Sequence, residues 1–154
     1  MMNRIQSSLV LTAAVLLSPS SSQAQSVTYD DSVIEAISDV LEWLEDDDYT
    51  LIPESGQWGL VFGWFSEGEE KDITFSVTLG ERYMLAGGGD DNVDDIDICV
   101  YDQTGREVEC DTAIDNFPLV SFIAHSTGTW RATLTAYSLN SPTAYAGMAL
   151  LREN

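Results

Sequence analysis

The chain has 154 residues, with 26 acidic side chains against six basic ones and a formal charge of −20. That balance excludes polyanionic partners, because nucleic acid and anionic membrane surfaces both repel it. Four Trp, six Tyr and five Phe exclude the other extreme, an acidic disordered tail, since so many aromatics specify a packed core.

Residues 1–24 read as an export signal. Arg4 supplies a positive start, and 9–17 (LVLTAAVLL) is an apolar run of signal-peptide length. Ser22 and Ala24 stand at the −3 and −1 positions of a cleavage site. The run is shorter than the roughly 20 apolar residues of a membrane span. A secreted or periplasmic location is expected, with no membrane insertion once the signal is removed.

Residues 25–48 are predicted as a helical segment. Asp30, Asp31 and Ser32 offer N-caps, and Ser32 with Glu35 fits the capping box. Val33, Ile34, Ile37, Val40, Leu41 and Leu44 then make one apolar stripe, so a helix is expected over 32–45. Asp46, Asp47 and Asp48 oppose the dipole at its C-terminal end. A one-faced stripe is what docking onto its own domain requires. The alternative is a helix that binds a partner.

From residue 49 the helical period is lost. A short strand at 49–52 precedes a turn at 54–56, and 57–65 reads as a strand broken by Gly59 and Gly63. After a turn at 67–70, residues 72–79 alternate Ile73, Phe75, Val77 and Leu79 against Asp72, Thr74, Ser76 and Thr78. A strand at 82–86 leads into a loop of glycines and acids from residue 87. Residues 95–101 alternate again, with Ile96, Ile98 and Val100 on one face and Asp95, Asp97, Cys99 and Tyr101 on the other. A hairpin turn at 102–106, with Gly105 in its left-handed position, returns the chain along 107–111. An irregular loop at 112–118, strands at 119–124 and 129–137 and a closing strand at 145–151 complete the pattern. Residues 49–154 are therefore expected to be mainly β, an antiparallel sandwich.

Some of these residues carry a family resemblance. Tyr83-Met84-Leu85, then DIDICVYDQTG from Asp95 to Gly105, then Pro118 to Phe122, then Ser126-Thr127-Gly128-Thr129-Trp130 together resemble the bacterial pre-peptidase C-terminal domain. Trp130 stands where that family has Tyr. The resemblance covers about 57–150. It implies a jelly-roll-like β-sandwich, a secreted setting and a non-catalytic role. Relatives are usually appended to secreted peptidases, and some bind calcium, collagen or polysaccharide. The chain carries no peptidase stretch; the helix at 32–45 takes that place, so the accessory role does not carry over directly.

The acidic stretch is the candidate site. Asp90, Asp91, Asn92, Asp94, Asp95 and Asp97 supply the hard oxygens that calcium takes in sets of six to eight. Their spacing is not that of an EF-hand. Asp95 and Asp97 lie roughly 6.5–7 Å apart on one strand face, so both reach one ion only through a kink or a water. The alternative is that these carboxylates cap turns and accept local amides. Cys99 and Cys110 form the one cysteine pair. A three-residue loop over 103–105 puts them on opposite faces, and a four-residue loop over 103–106 puts them directly opposite, so a disulfide is left open. His125, the one histidine, has no nucleophile at catalytic spacing, and no enzyme is expected. Trp58, Phe62, Trp64 and Phe65 are either a carbohydrate platform, or core or helix-docking surface. The expected function is a secreted, non-catalytic module binding calcium or an extracellular or envelope ligand, protein or polysaccharide. An interaction or accessory module for another exported protein is the alternative, and a carboxylate-dependent hydrolase the third reading.

Overall fold

Side-chain alternation decides most of the architecture. The computed structural model describes residues 38, 42, 48–54 and 57–154. The expected signal at 1–24 and the helix at 32–45, apart from Ser38 and Glu42, lie outside the described residues. Among the described residues, no helix is long and apolar enough to cross a membrane.

In chain order the strands are β1 (Tyr49–Leu51), β2 (Pro53–Glu54), β3 (Gln57–Trp58), β4 (Leu60–Phe65), β5 (Glu70–Val77), β6 (Arg82–Gly89), β7 (Val93–Tyr101), β8 (Glu107–Asp111), β9 (Leu119–Ile123), β10 (Gly128–Leu139) and β11 (Ala144–Glu153). They form two main antiparallel sheets. One has five strands in the order β1-β11-β6-β9, with β4 also paired to β11. The other has four, in the order β5-β10-β7-β8. Among the described residues, β2 and β3 pair only with each other.

The core lies between the inner faces. In β5, Ile73, Phe75 and Val77 are buried while Asp72, Thr74 and Ser76 are exposed. In β7, Ile96, Ile98 and Val100 are buried to 1% exposure or less. Trp130, Leu134, Leu85, Met148 and Leu150 meet them from the neighbouring strands. Each such side chain contributes roughly 1.5–3 kcal/mol by leaving water.

Three expectations are corrected. Leu79 does not reach the core; β5 ends at Val77 and the chain turns at Gly80, leaving Leu79 exposed. Gly87, Gly88 and Gly89 are strand rather than loop, paired with Met148, Gly147 and Ala146 of β11. Their lack of side chains admits neighbours: a Cβ on Gly87 would stand 2.7 Å from Pro118 Cγ. Gly63 breaks nothing, since it lies within β4 opposite Ala146, whereas Gly59 does separate β3 from β4.

The loop at 112–118 closes the rim between the sheets. Its carbonyls at Asp115, Asn116 and Pro118 accept from Ile96 of one sheet and from Gly89 and Gly87 of the other. This strap runs beside the strand that carries Asp95 and Asp97.

Candidate functional site

The six residues of the acidic stretch divide by role. Asp90 is fully buried, and its two carboxylate oxygens accept the amides of Asn92 and Tyr145 at 2.9 Å each. Its backbone amide donates to Tyr145 O, also at 2.9 Å. Asp90 therefore locks the β6–β7 turn against the start of β11. Asp91 and Asp94 are exposed and Asn92 is half-buried. Asn140, from the β10–β11 loop, holds this turn: its side-chain amide donates to Asp91 O at 2.9 Å and to Asp94 Oδ1 at 3.4 Å, and its backbone amide donates to Asn92 O.

Asp95 and Asp97 are different. Asp95 is 7% exposed, and its Oδ1 has no hydrogen-bond partner among the described residues. Burial pushes its carboxyl above the usual aspartate range; the charge of Asp115 adds to the rise, and a backbone hydrogen bond from Asp115 opposes it. Asp97, half-buried, is likewise raised, first by burial and then by the charges of Asp95, Asp111 and Asp115. Four carboxylates thus share one electrostatic environment around the 112–118 strap. Asp111 there accepts from Ala113 N and Leu119 N, and Asp115 accepts from Phe117 N.

Asp111, Asp115 and Asn140 escape a reading of the sequence. They reach the stretch through tertiary pairing, and no local spacing announces them. The structure does not gather the stretch into a ready chelate. Among the described residues, the set of three ligand atoms that converges within 4.8 Å is Cys99, Glu107 and Cys110. That set is no metal site, because the two sulfurs are bonded to each other.

The residues that carry the family resemblance meet elsewhere, in one aromatic ladder. Tyr83 stacks on Phe122 at 5.6 Å, Phe122 on Trp130 at 5.4 Å, and Trp130 lies 4.8 Å from the His125 ring. His125 Nε2 is 3.2 Å from Asp102 Oδ2. Asp102 also accepts from the amide and hydroxyl of Thr104 and from Arg106 N and Nε. These hydrogen bonds, those of Thr104 foremost, hold its carboxyl far below the usual aspartate range. At the other end, Tyr83 Oη accepts from Thr78 N and donates to Glu81. The ladder links turns of both sheets, and His125 is a member of it.

The aromatic stretch splits as well. Phe65 is core, while Trp64 is 55% exposed and meets Tyr145 edge-on at 5.4 Å. Phe62 lies parallel to the Tyr145 ring, with centroids 6.3 Å apart.

No protein-family model matches the chain, and no curated protein matches it. Solved structures do resemble it. The pre-peptidase C-terminal domain of collagenase from Bacillus anthracis is similar at 13% identity and TM-score 0.49, over 59% of this chain and 86% of that one. PliG of Aeromonas hydrophila, a periplasmic inhibitor of g-type lysozyme, is similar at 9% identity and TM-score 0.46, over 66% and 92%. TmCBM61, solved with β-1,4-galactotriose, is similar at 17% identity and TM-score 0.39, over 71% and 85%.

Proposed function

We propose that the protein is an exported, non-catalytic, jelly-roll-like module of the pre-peptidase C-terminal kind that takes a calcium ion at its acidic rim. The observation that carries this reading is the buried Asp95 carboxylate with an oxygen left without a donor. A buried, unpaired polar atom costs roughly 1–3 kcal/mol, and more when charged. The negative charge of Asp115 deepens that cost, Asp97 carries a similar one beside it, and a divalent cation offsets both. Asp95 and Asp97 are the anchoring ligands, with Asp91, Asn92 and Asp94 on the open side and water completing the shell. Asp90 belongs to the same stretch but spends its oxygens on the turn.

An ion in this position ties the β6–β7 turn to β7, beside the 112–118 strap. It would fix the rim for an extracellular ligand, a polysaccharide or a protein. Calorimetry with calcium on the purified protein tests the reading. One site and a rise in melting temperature are expected, both lost in Asp95→Asn. No heat and no shift at millimolar calcium sink it.

One observation favours a second reading, an interaction or accessory module. β9 is a sheet edge whose Leu119 and Ile123 are exposed, and Ile114 and Phe117 beside it are exposed too. Such an apolar lane suits a protein partner. Capture of a specific exported protein, lost in Ile123→Lys, would favour it over the first.

A further inference from the structure

The two sheets present opposite kinds of outer face. That of the four-stranded sheet is polar: Asp72, Thr74, Arg131, Thr133 and Tyr101 lie on it, with Arg131 paired to Asp72 at 3.0 Å. That of the five-stranded sheet is apolar. Met84 and Ala86 of β6 stand opposite Leu151 and Ala149 of β11, and Leu51 of β1 and Leu60 of β4 continue the rows. A solvated face of this composition would be an aggregation surface.

It is not solvated. Met84 is 3% exposed, Ala86 1%, and Ala149 and Leu151 0%. The partly buried side chains packed against these four, Tyr49, Leu51, Leu60 and Phe62, come from strands of the same sheet, and neighbours on one face shield flanks rather than tops. The cover is narrow as well, since Leu119 and Ile123 on adjacent β9 stay exposed. Two buried strand columns span roughly 10 Å, the width of one helix. The burial arises within a single chain, so a second copy does not supply it.

We infer that this face is the docking surface for the chain's own segment 33–44, whose stripe of Ile37, Val40, Leu41 and Leu44 lies along β6 and β11. Three further observations favour this occupant. Residue 44 is four residues from Asp48, a tether of at most about 14 Å, and Asp48 accepts from Asn154 N beside the end of β11. β1 begins at the next residue, on the edge of this same sheet. Ser38 and Glu42, both helical and exposed, fall one turn apart on the side opposite the stripe. The helix is then a third layer of the domain. The polar sheet, the acidic rim and the β9 lane are the faces left for ligands.

Methionine oxidation followed by mass spectrometry tests this on the full chain. Met84 lies on the outer face and Met148 in the core between the sheets. In the parent chain both should resist peroxide. Ile37→Asp with Leu41→Asp should raise Met84 oxidation several-fold and leave Met148 unchanged. Ser38→Asp with Glu42→Lys should change neither. Continued protection of Met84 in the first variant overturns the inference. Should that variant unfold, Met148 oxidises too, and a photo-crosslinker placed at residue 41 of an otherwise unaltered chain decides. Cross-links to peptides containing 82–89 or 144–153 support it. Cross-links to β5 or β10, to a second isotope-labelled copy, or a cover of 9–17 or 53–58 found by the same method at those positions, overturn it.

Discussion

Cys99 and Cys110 face each other across β7 and β8, their Cα atoms 4.1 Å apart and their sulfurs bonded. The hairpin that brings them together has the three-residue loop whose simple register would have kept them apart. Asp102 N donates to Arg106 O, Tyr101 pairs with Glu107, and Gly105 takes φ +79°. A bulge then inserts Val108, so Val100 pairs with Glu109 and Cys99 with Cys110. One extra residue shifts the register by one, and that shift puts both cysteines on one face. Replacing both with serine should destabilise the domain by about 2–3 kcal/mol, the chain-entropy value for a short loop. Denaturant titration with and without reductant measures it; equal midpoints for the two forms would contradict it.

Asp95→Asn should raise the melting temperature at neutral pH in the presence of chelator. The carboxyls of Asp95 and Asp97 are raised on folding. The folded state therefore holds their protons to higher pH than the unfolded chain does. Their penalty is absent below the ordinary aspartate value, grows as pH rises from there to the raised value, and is complete above it. The stabilisation should shrink as pH falls toward the ordinary value. A lower melting temperature for the variant at pH 7 would refute it.

Asp102 has the opposite sign. Its carboxyl is lowered on folding, so its contribution is present above the ordinary aspartate value and lost as pH falls through the lowered one. Asp102→Asn should lower the melting temperature by several degrees at pH 7. The deficit should narrow only in strong acid. Melting curves of both proteins from pH 7 downward give the comparison, and a deficit independent of pH would assign the effect to shape alone.

Gly147→Ala should cost about 1–3 kcal/mol. The added Cβ would run into the Phe62 ring and stand 2.5 Å from Val61 O, a backbone atom that cannot rotate away. Gly147 also pairs with Gly88 across β6 and β11, so the shift would spread into the five-stranded sheet. An unchanged unfolding midpoint would show that β4 yields freely.

The alternating strands were legible because a period of two has one meaning when half of each strand is buried. β5 follows it from Asp72 to Val77 and β7 from Ile96 to Tyr101, while Asp95, buried next to Ile96, breaks it. The glycine run was not legible: in isolation it reads as a loop, and only the proximity of Pro118 and the pairing with β11 show why strand positions want no side chain. The bulge at Val108 was hidden for a related reason, since nothing local marks an extra residue. At the acidic rim, the sequence located the charges but not their division of labour. Asp90 reads the same as Asp95 on paper, yet one accepts two amides and the other has an oxygen with none. That difference is set by Tyr145, 55 residues away in sequence.

The earliest and latest strands of the sandwich are neighbours, with Tyr49 opposite Glu153 and Leu51 opposite Leu151. β11 is also the partner of β4 and β6. The five-stranded sheet thus has no centre until β11 has been made, after every strand it pairs with. That sheet zips only through one long-range closure, in which β11 returns to β1, β4 and β6, whereas the sheet of β5, β10, β7 and β8 can pair without it.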